Sequence, residues 1–423
     1  MAGAKRAMTT DLALRDLKAE MHAELTRNIL PFWMNVARDR RHGGVVGLID
    51  EDGTPHPDAP KGVILHARVL WTFSAAYRRL GEESLRRAAD ASALHFVANF
   101  VDPTFGGVFW MLDARGRPMD ERKHVYAQAF AIYALAEHFR ATGNPHSLDA
   151  AIALFRLVES HAFDASHIGY EECFSRPWTL LDDVRLSERD LNERRSMNTH
   201  LHLLEAYTTL HEVWADARLT EQLRTLVELF LDHIIARDGD HVVGFFTERW
   251  EPRSAKNSFG HDIETSWLLL EAAHALGDAA LTERVRAAAM CLGEAVLERG
   301  LDTEHGGLFN ERDGAVLDTD KEWWPQAEAI VGFLAAYRES SDERYVDAAL
   351  STWRFVERHI VDRRNGEWLR RVSRSGDRTR GGEKIGPWKC PYHDGRACLE
   401  VMGRVDALLG RAPSRAAATS SHT

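Results

Sequence analysis

Two segments of the sequence carry the same short arrangement of residues able to move protons: SFGHDIETSW at 258–267 and KCPYHDGRACLE at 389–400. In each, a His-Asp pair (His261-Asp262, His393-Asp394) follows a turn-forming Gly or Pro and precedes a run of good helix formers. Capping does not explain the imidazole, because helix starts favour Ser, Thr, Asp and Asn. Proton exchange does: with an ordinary pKa of about 6.5, histidine gives and takes protons near neutrality. Two such groups brought together form an acid/base pair.

Further polar side chains stand within apolar helical sequence. KGVILHARVLWTFSAAY carries Arg68, RSMNTHLHLLEAY sets Asn198 and His202 four apart, and GHDIETSW sets His261 and Glu264 three apart, one helical face in each case. KEWWPQAEA brings Trp323 and Trp324 ahead of Glu328, and GPWKCPYHDG places Trp388 five residues before His393. Imidazoles, an arginine, carboxylates and aromatic rings make the mixed lining of a ligand pocket. The 12 tryptophans suit the C–H faces of sugar rings, with polar neighbours for the hydroxyls. Each residue alone also has a structural reading: a satisfied core histidine, Trp323 and Trp324 as core, Arg68 paired with a structural carboxylate. His200 and His202 form H-x-H, but side chains two apart diverge on a helix and no third ligand stands at metal spacing, so no metal is expected.

What favours a site is that these clusters fall at equivalent positions of a repeat. A Gly turn followed by apolar or aromatic residues and then charge returns about every 60 residues, near Gly44, Gly107, Gly169, Gly244, Gly307 and Gly366. Between the copies lie amphipathic helices such as VYAQAFAIYALAEHF (125–139) and HLHLLEAYTTLHEVW (200–214). Each repeat holds two helices, and the long, individually distinct loop phrases favour a closed ring over an open solenoid. The expected fold is therefore all-α, an (α/α)6 barrel with short β-hairpins at one rim, built as a single domain over 11–410 with disordered ends at 1–10 and 411–423. In such a ring His261, in the fourth repeat, and His393, in the sixth, face each other across the cavity.

Composition bounds the partners. A formal charge of −11 without a basic stripe excludes nucleic acid and disfavours anionic membrane surfaces. No apolar stretch near the N-terminus is long enough for a signal peptide or anchor, and the four cysteines, without C-x-x-C spacing, read as free thiols; a cytoplasmic protein is expected.

The segments RSMNTHLHLLEAY, SFGHDIETSWLLLEAA, KEWWPQAEA and GPWKCPYHDG resemble the signatures of the cellobiose 2-epimerase family, within the N-acylglucosamine 2-epimerase superfamily. The likeness runs from ILPFW (29–33) to His393, nearly the whole chain. It implies an (α/α)6 barrel with His261 and His393 as the two acid/base catalysts. It also implies that Arg68, Tyr126, Asn198, His202 and Glu264 bind or orient a reducing-end sugar, that Asp190 supports them, and that Trp324 and Trp388 stack on the sugar rings. The implied reaction inverts C2 of the reducing-end glucose of a β-1,4-linked disaccharide (cellobiose, lactose or mannobiose) through ring opening, a cis-enediolate and ring closure. His202 joins the catalytic group as a donor, with Arg68, to the charge developing on O1 and O2. Each catalytic histidine is expected to be turned by a carboxylate such as Glu264.

Proton transfer alone balances this reaction, so no nicotinamide, metal or other cofactor is expected. The partner is a small carbohydrate, with the chain a monomer or weak homodimer. The alternatives are an aldose–ketose isomerase or 2-epimerase acting on a monosaccharide, an N-acylglucosamine epimerase, a glycoside hydrolase using Glu264, Glu328 or Asp190, and a sugar-binding scaffold without catalysis.

Overall fold

The computed structural model describes residues 2–379 and 381–410; the tail expected to be disordered at 411–423 lies outside the described residues. Twelve α-helices are described: α1 (Ala2–Glu24), α2 (Val63–Leu80), α3 (Glu83–Phe100), α4 (Val125–Thr142), α5 (Pro145–His161), α6 (Met197–His211), α7 (Ala217–Leu229), α8 (Phe259–Leu276), α9 (Ala279–Arg299), α10 (Trp323–Ser340), α11 (Glu343–Phe355) and α12 (Tyr392–Leu409). Helix α1 runs through residues 2–10, which the sequence reading had placed outside the domain. The even-numbered helices pack in order, α2 on α4, α6, α8, α10 and α12, and α12 returns to α2, closing an inner ring. The odd-numbered helices form the outer layer, α3 on α2, α5 on α4, α7 on α6, α9 on α8, α11 on α10 and α1 on α12. This is the (α/α)6 barrel.

The two layers differ as their sequences require. In α7 the buried residues Leu219, Gln222, Leu223, Leu226 and Val227 follow the 3.6-residue period, leaving one polar face to solvent. In α4 every residue from Val125 to His138 is buried, because an inner helix has neighbours on both sides, an outer helix behind and the barrel interior in front. Outer helices α5, α7, α9 and α11 start on capping side chains, Asn144, Asp216, Asp278 and Asp342. Inner helices α8, α10 and α12 start without one. Their first turns carry His261, Trp324 and His393 instead.

Short β pairs complete the ring at the N-terminal end of the inner helices. Each lead-in segment pairs with the hairpin of the next repeat: Lys61–Gly62 with Met111–Leu112, Lys123–His124 with Cys173–Phe174, Arg195–Ser196 with Phe245–Phe246, Lys256–Ser258 with Glu311–Asp313, and Lys321–Glu322 with Arg371–Val372. Glu383–Ile385 then pairs with Ile49–Asp50, so strand pairing closes on itself as the helices do. The hairpins are the recurring glycine phrases. Five are pinned by an ion pair from the lead-in strand: Lys61–Asp39 at 2.7 Å, Lys123–Asp102 at 3.0 Å, Arg195–Asp164 at 2.7 Å, Lys321–Asp302 at 3.1 Å and Lys384–Asp362 at 3.0 Å. No helix of the described residues is long and apolar enough to cross a membrane.

Three buried histidines serve this framework as neutral hinges. His200 Nδ1 lies 2.7 Å from the Ser196 carbonyl, and its Nε2 accepts the Tyr170 N–H at 3.1 Å. His66 makes the same two bonds, to the Gly62 carbonyl and the Val45 N–H. His124 Nδ1 accepts from the Tyr126 N–H and its Nε2 meets the Val184 carbonyl at 3.0 Å. Protonation would destroy an acceptor in each case, and burial drives all three from 6.5 to about 3. The unfolded chain therefore binds protons in this window that the folded chain does not. Stability is full above pH 6.5 and is lost as the pH falls toward 3. Melting temperature recorded against pH should be flat above about 7 and fall steadily below 6.5; a flat profile down to pH 4 would contradict the assignment.

Candidate active site

Aligning the two His-Asp pairs places the inner helices in register. Six side chains then occupy one level of the ring: Arg68, Phe130, His202, Glu264 and Glu328, each the sixth residue of its helix, and Arg396, three residues after His393 as Glu264 is after His261. All six are buried. They form a floor one turn below His261, Trp324 and His393, which stand in the first turns of their helices.

The histidines and aspartates of the opening pairs have different tasks. Asp262 faces the framework: its Oδ1 accepts the Val242 N–H at 2.8 Å, the task that Gln128 and Gln326 perform at the same position in their repeats. Asp394 is likewise fully buried, beside Glu367 and Lys389. His261 and His393 instead flank the indole of Trp324, with ring centroids 4.7 and 5.7 Å away. Gly260 permits this approach, since a Cβ there would stand 2.6 Å from the Trp324 ring.

The orienting partners differ from the expected Glu264. His261 Nδ1 is 2.8 Å from Ser258 Oγ, and His393 Nδ1 is 2.6 Å from Glu328 Oε1. Glu264 is drawn away by Arg396, whose Nη2 donates to it at 2.6 Å. In both histidines Nδ1 is committed, and Nε2 is the nitrogen left for a substrate. His202 follows the same rule, its Nδ1 lying 2.9 Å from Glu205 Oε2.

Arg396 is the electrostatic centre of the floor. Its guanidinium donates to Glu205, Glu264, Glu328 and the Tyr392 hydroxyl, and lies 4.8 Å over the Trp267 ring. Three buried carboxylates share this one cation, so their affinities for protons separate. Burial raises Glu264 to about 7, with repulsion from Glu328 adding to it, and burial raises Glu328 too. Glu205 is held at about 2, because Arg396 and hydrogen bonds from His202 and Tyr392 outweigh the burial that opposes them. Burial pushes His261 down to about 3, helped by His202, and pushes His393 well below its ordinary value, helped by Arg68 and Arg396. Both imidazoles are neutral, with Nε2 able to accept a proton. Ligand atoms of Glu264, Glu328 and His393 lie within 4.8 Å of one another. Arg396 already supplies a positive charge between the two carboxylates, at 2.6 and 2.7 Å.

The remaining expected residues fall into two groups. Arg68 Nη2 donates to the Tyr126 hydroxyl at 2.9 Å, and its guanidinium stacks over Phe130 at 4.2 Å. Asn198 is half-buried with its Oδ1 unpartnered. Trp324 and Trp388 are half-buried, Trp388 standing 6.0 Å from Tyr126 and 6.1 Å from Trp110. Asp190 Oδ2 accepts from the Ser187 N–H and hydroxyl at 2.8 and 3.0 Å, closing a turn in its own loop.

Residues absent from the expected site are Arg396, Glu205, Tyr392, Ser258 and Trp110. Arg396 and Glu205 were readable, since each stands three residues after a singled-out histidine. Most tryptophans prove structural. Trp33, Trp353 and Trp368 are fully buried and donate to Glu367, Glu20 and Glu24.

Known proteins share this chain's length and fold. A "Cellobiose 2-epimerase" from Bacteroides fragilis is 45% identical over 389 residues, covering 92% of this chain and 99% of that one. The structure of cellobiose 2-epimerase from Spirochaeta thermophila superposes with a TM-score of 0.88 at 40% identity, covering 94% of this chain and 98% of that one. That of cellobiose 2-epimerase from Bacillus thermoamylovorans B4167 gives 0.88 at 38% identity, covering 92% and 100%. The family model described as N-acylglucosamine 2-epimerase matches residues 43–395, from the first glycine hairpin to the start of α12. With five of its six inner helices and both imidazoles inside that span, the chain belongs to the N-acylglucosamine 2-epimerase family.

Proposed function

We propose that this protein is a cellobiose 2-epimerase, interconverting the glucose and mannose configurations at the reducing end of a β-1,4-linked disaccharide. The observation that carries the reading is the pair His261 and His393, fixed through Nδ1 on separate helices and flanking one indole with Nε2 free. The similarity to cellobiose 2-epimerases over almost the full chain supports the substrate class.

Only an open-chain aldehyde makes the C2 proton acidic enough to remove. Ring opening therefore comes first, O5 gaining a proton as O1 loses one. Glu264, held near 7, and the two imidazoles are the titratable groups available for this exchange. One Nε2 then takes the C2 proton. The enediolate that results carries charge on O1 and O2, for which the buried Arg68 guanidinium is the donor in a water-poor site, where such bonds are strongest. The second imidazole, carrying at Nε2 the proton that O1 gave up on ring opening, delivers it to C2 from the opposite face. As the ring closes, the first imidazolium returns its proton to O1 and O5 returns to Glu264 the proton it received. Electrons and protons balance within the sugar and the imidazoles.

Proton NMR of the enzyme with cellobiose in D₂O tests this directly. The expected result is a mannose-type reducing end, an intact glycosidic bond and deuterium at C2. Unchanged cellobiose with turnover of mannose or glucose would transfer the assignment to a monosaccharide, and free glucose would replace it with hydrolysis.

The rim tryptophans supply the second-ring contact in this reading. Trp388→Ala is expected to raise KM for cellobiose roughly tenfold, the value of about 1–1.5 kcal/mol of stacking, with kcat within about twofold. Equal effects on kcat and KM in steady-state assays would place Trp388 at the reacting ring instead.

A further inference from the structure

Below the catalytic floor the barrel holds a second cavity, opening at the other end of the inner helices. It has a volume of about 210 Å³, and its walls include Trp71, Tyr133, Glu205, Thr209, Trp267 and Glu271. None of the residues that hold His261 or His393 through Nδ1 lines it. Glu205 is shared: it faces this cavity while binding His202, Tyr392 and Arg396 in the floor.

The chemistry of the walls selects a ligand class. Trp71 is only 5% exposed, and its ring stacks on that of Tyr133 at 5.3 Å, giving the cavity an aromatic wall. The carboxylates are already compensated: Glu137 by Arg78 at 2.7 Å, Glu212 by Arg140 at 2.7 Å, Glu271 by Arg404 at 3.0 Å, and Glu205 by Arg396. A metal cation would have to displace these guanidinium groups, and an anion would have to draw the lining Arg78 and Arg140 away from Glu137 and Glu212. A neutral hydroxyl compound suits both features, donating to carboxylate oxygens and laying C–H groups on the aromatic rings. The space exceeds that of a single water, whose share of liquid volume is about 30 Å³.

We propose that this lower cavity is a second binding site, for a small neutral polyol, and that its occupancy is coupled through Glu205 to His202 and hence to turnover. Xylitol is a suitable probe, because without a carbonyl it cannot be epimerised. Its binding is followed by saturation-transfer NMR with and without saturating cellobiose, in wild type, Trp71→Phe and Thr209→Trp, the last filling the cavity with an indole. The expected result is saturable xylitol binding that survives cellobiose, weakens in Trp71→Phe and falls at least tenfold in Thr209→Trp. Xylitol should also change wild-type kcat or KM at least twofold and leave Thr209→Trp unaffected. Absence of saturable binding, or its complete displacement by cellobiose, would overturn the site. Binding without any change in turnover would overturn the coupling. Should Thr209→Trp fail to fold, the cellobiose competition and Trp71→Phe still decide.

Discussion

Replacing either His261 or His393 by alanine is expected to lower kcat/KM for epimerisation by about 10² to 10⁴, the usual value of a positioned acid/base group. The more telling result lies in isotope exchange. Each imidazole stands on its own helix and is fixed by its own partner, Ser258 or Glu328, so removing one leaves the other oriented. A variant with one base can still remove and return the C2 proton on a single face. In D₂O, His261→Ala should exchange C2–H of one epimer without inverting it, and His393→Ala should do so for the other epimer. If one variant kept full activity, or both lost exchange with both epimers, the two-base scheme would fail. Glu328→Gln isolates the orienting contact: the amide still accepts from Nδ1 but lacks the charge that stabilises an imidazolium, so kcat should fall more than KM changes.

Arg396→Leu is expected to be the most damaging single change to the fold, at about 3–5 kcal/mol, because it leaves buried carboxylates without their counter-charge. Glu205, Glu264 and Glu328 all bind this guanidinium, and all are at most 3% exposed. The mechanism has a signature that simple cavity formation lacks. Adding Glu264→Gln to Arg396→Leu should restore part of the loss, since the pair removes one charge of each sign, whereas Glu264→Gln alone should destabilise or be neutral. Urea unfolding midpoints of the two single variants and the double variant form the required cycle. Additive losses would mean that Arg396 acts only through its packing on Trp267 and Tyr392. An exposed pair such as Arg86–Glu83, by contrast, should leave the midpoint nearly unchanged when broken.

Much of this molecule was legible in one dimension. The period of about 60 residues announced six helical hairpins, and the recurring glycine phrases marked the rim at which they close. Helical spacing alone showed that Asn198 and His202, or His261 and Glu264, share a face, because 3.6 residues per turn is a property of the local backbone. For the same reason the equivalence of His261 and His393 could be read before any packing was known.

Which groups meet across the ring was decided only by tertiary structure. Glu264 is three residues from His261 and seemed its natural partner, yet Arg396, from the other end of the chain, holds that carboxylate. Glu328 reaches His393 because α10 packs beside α12, a neighbourhood 65 residues apart in sequence. Most tryptophans that suggested sugar contacts fill the core. Local periodicity states which way a side chain points relative to its own helix. The partner it finds there depends on which helices the hydrophobic core brings together, and only the closed ring contains that information.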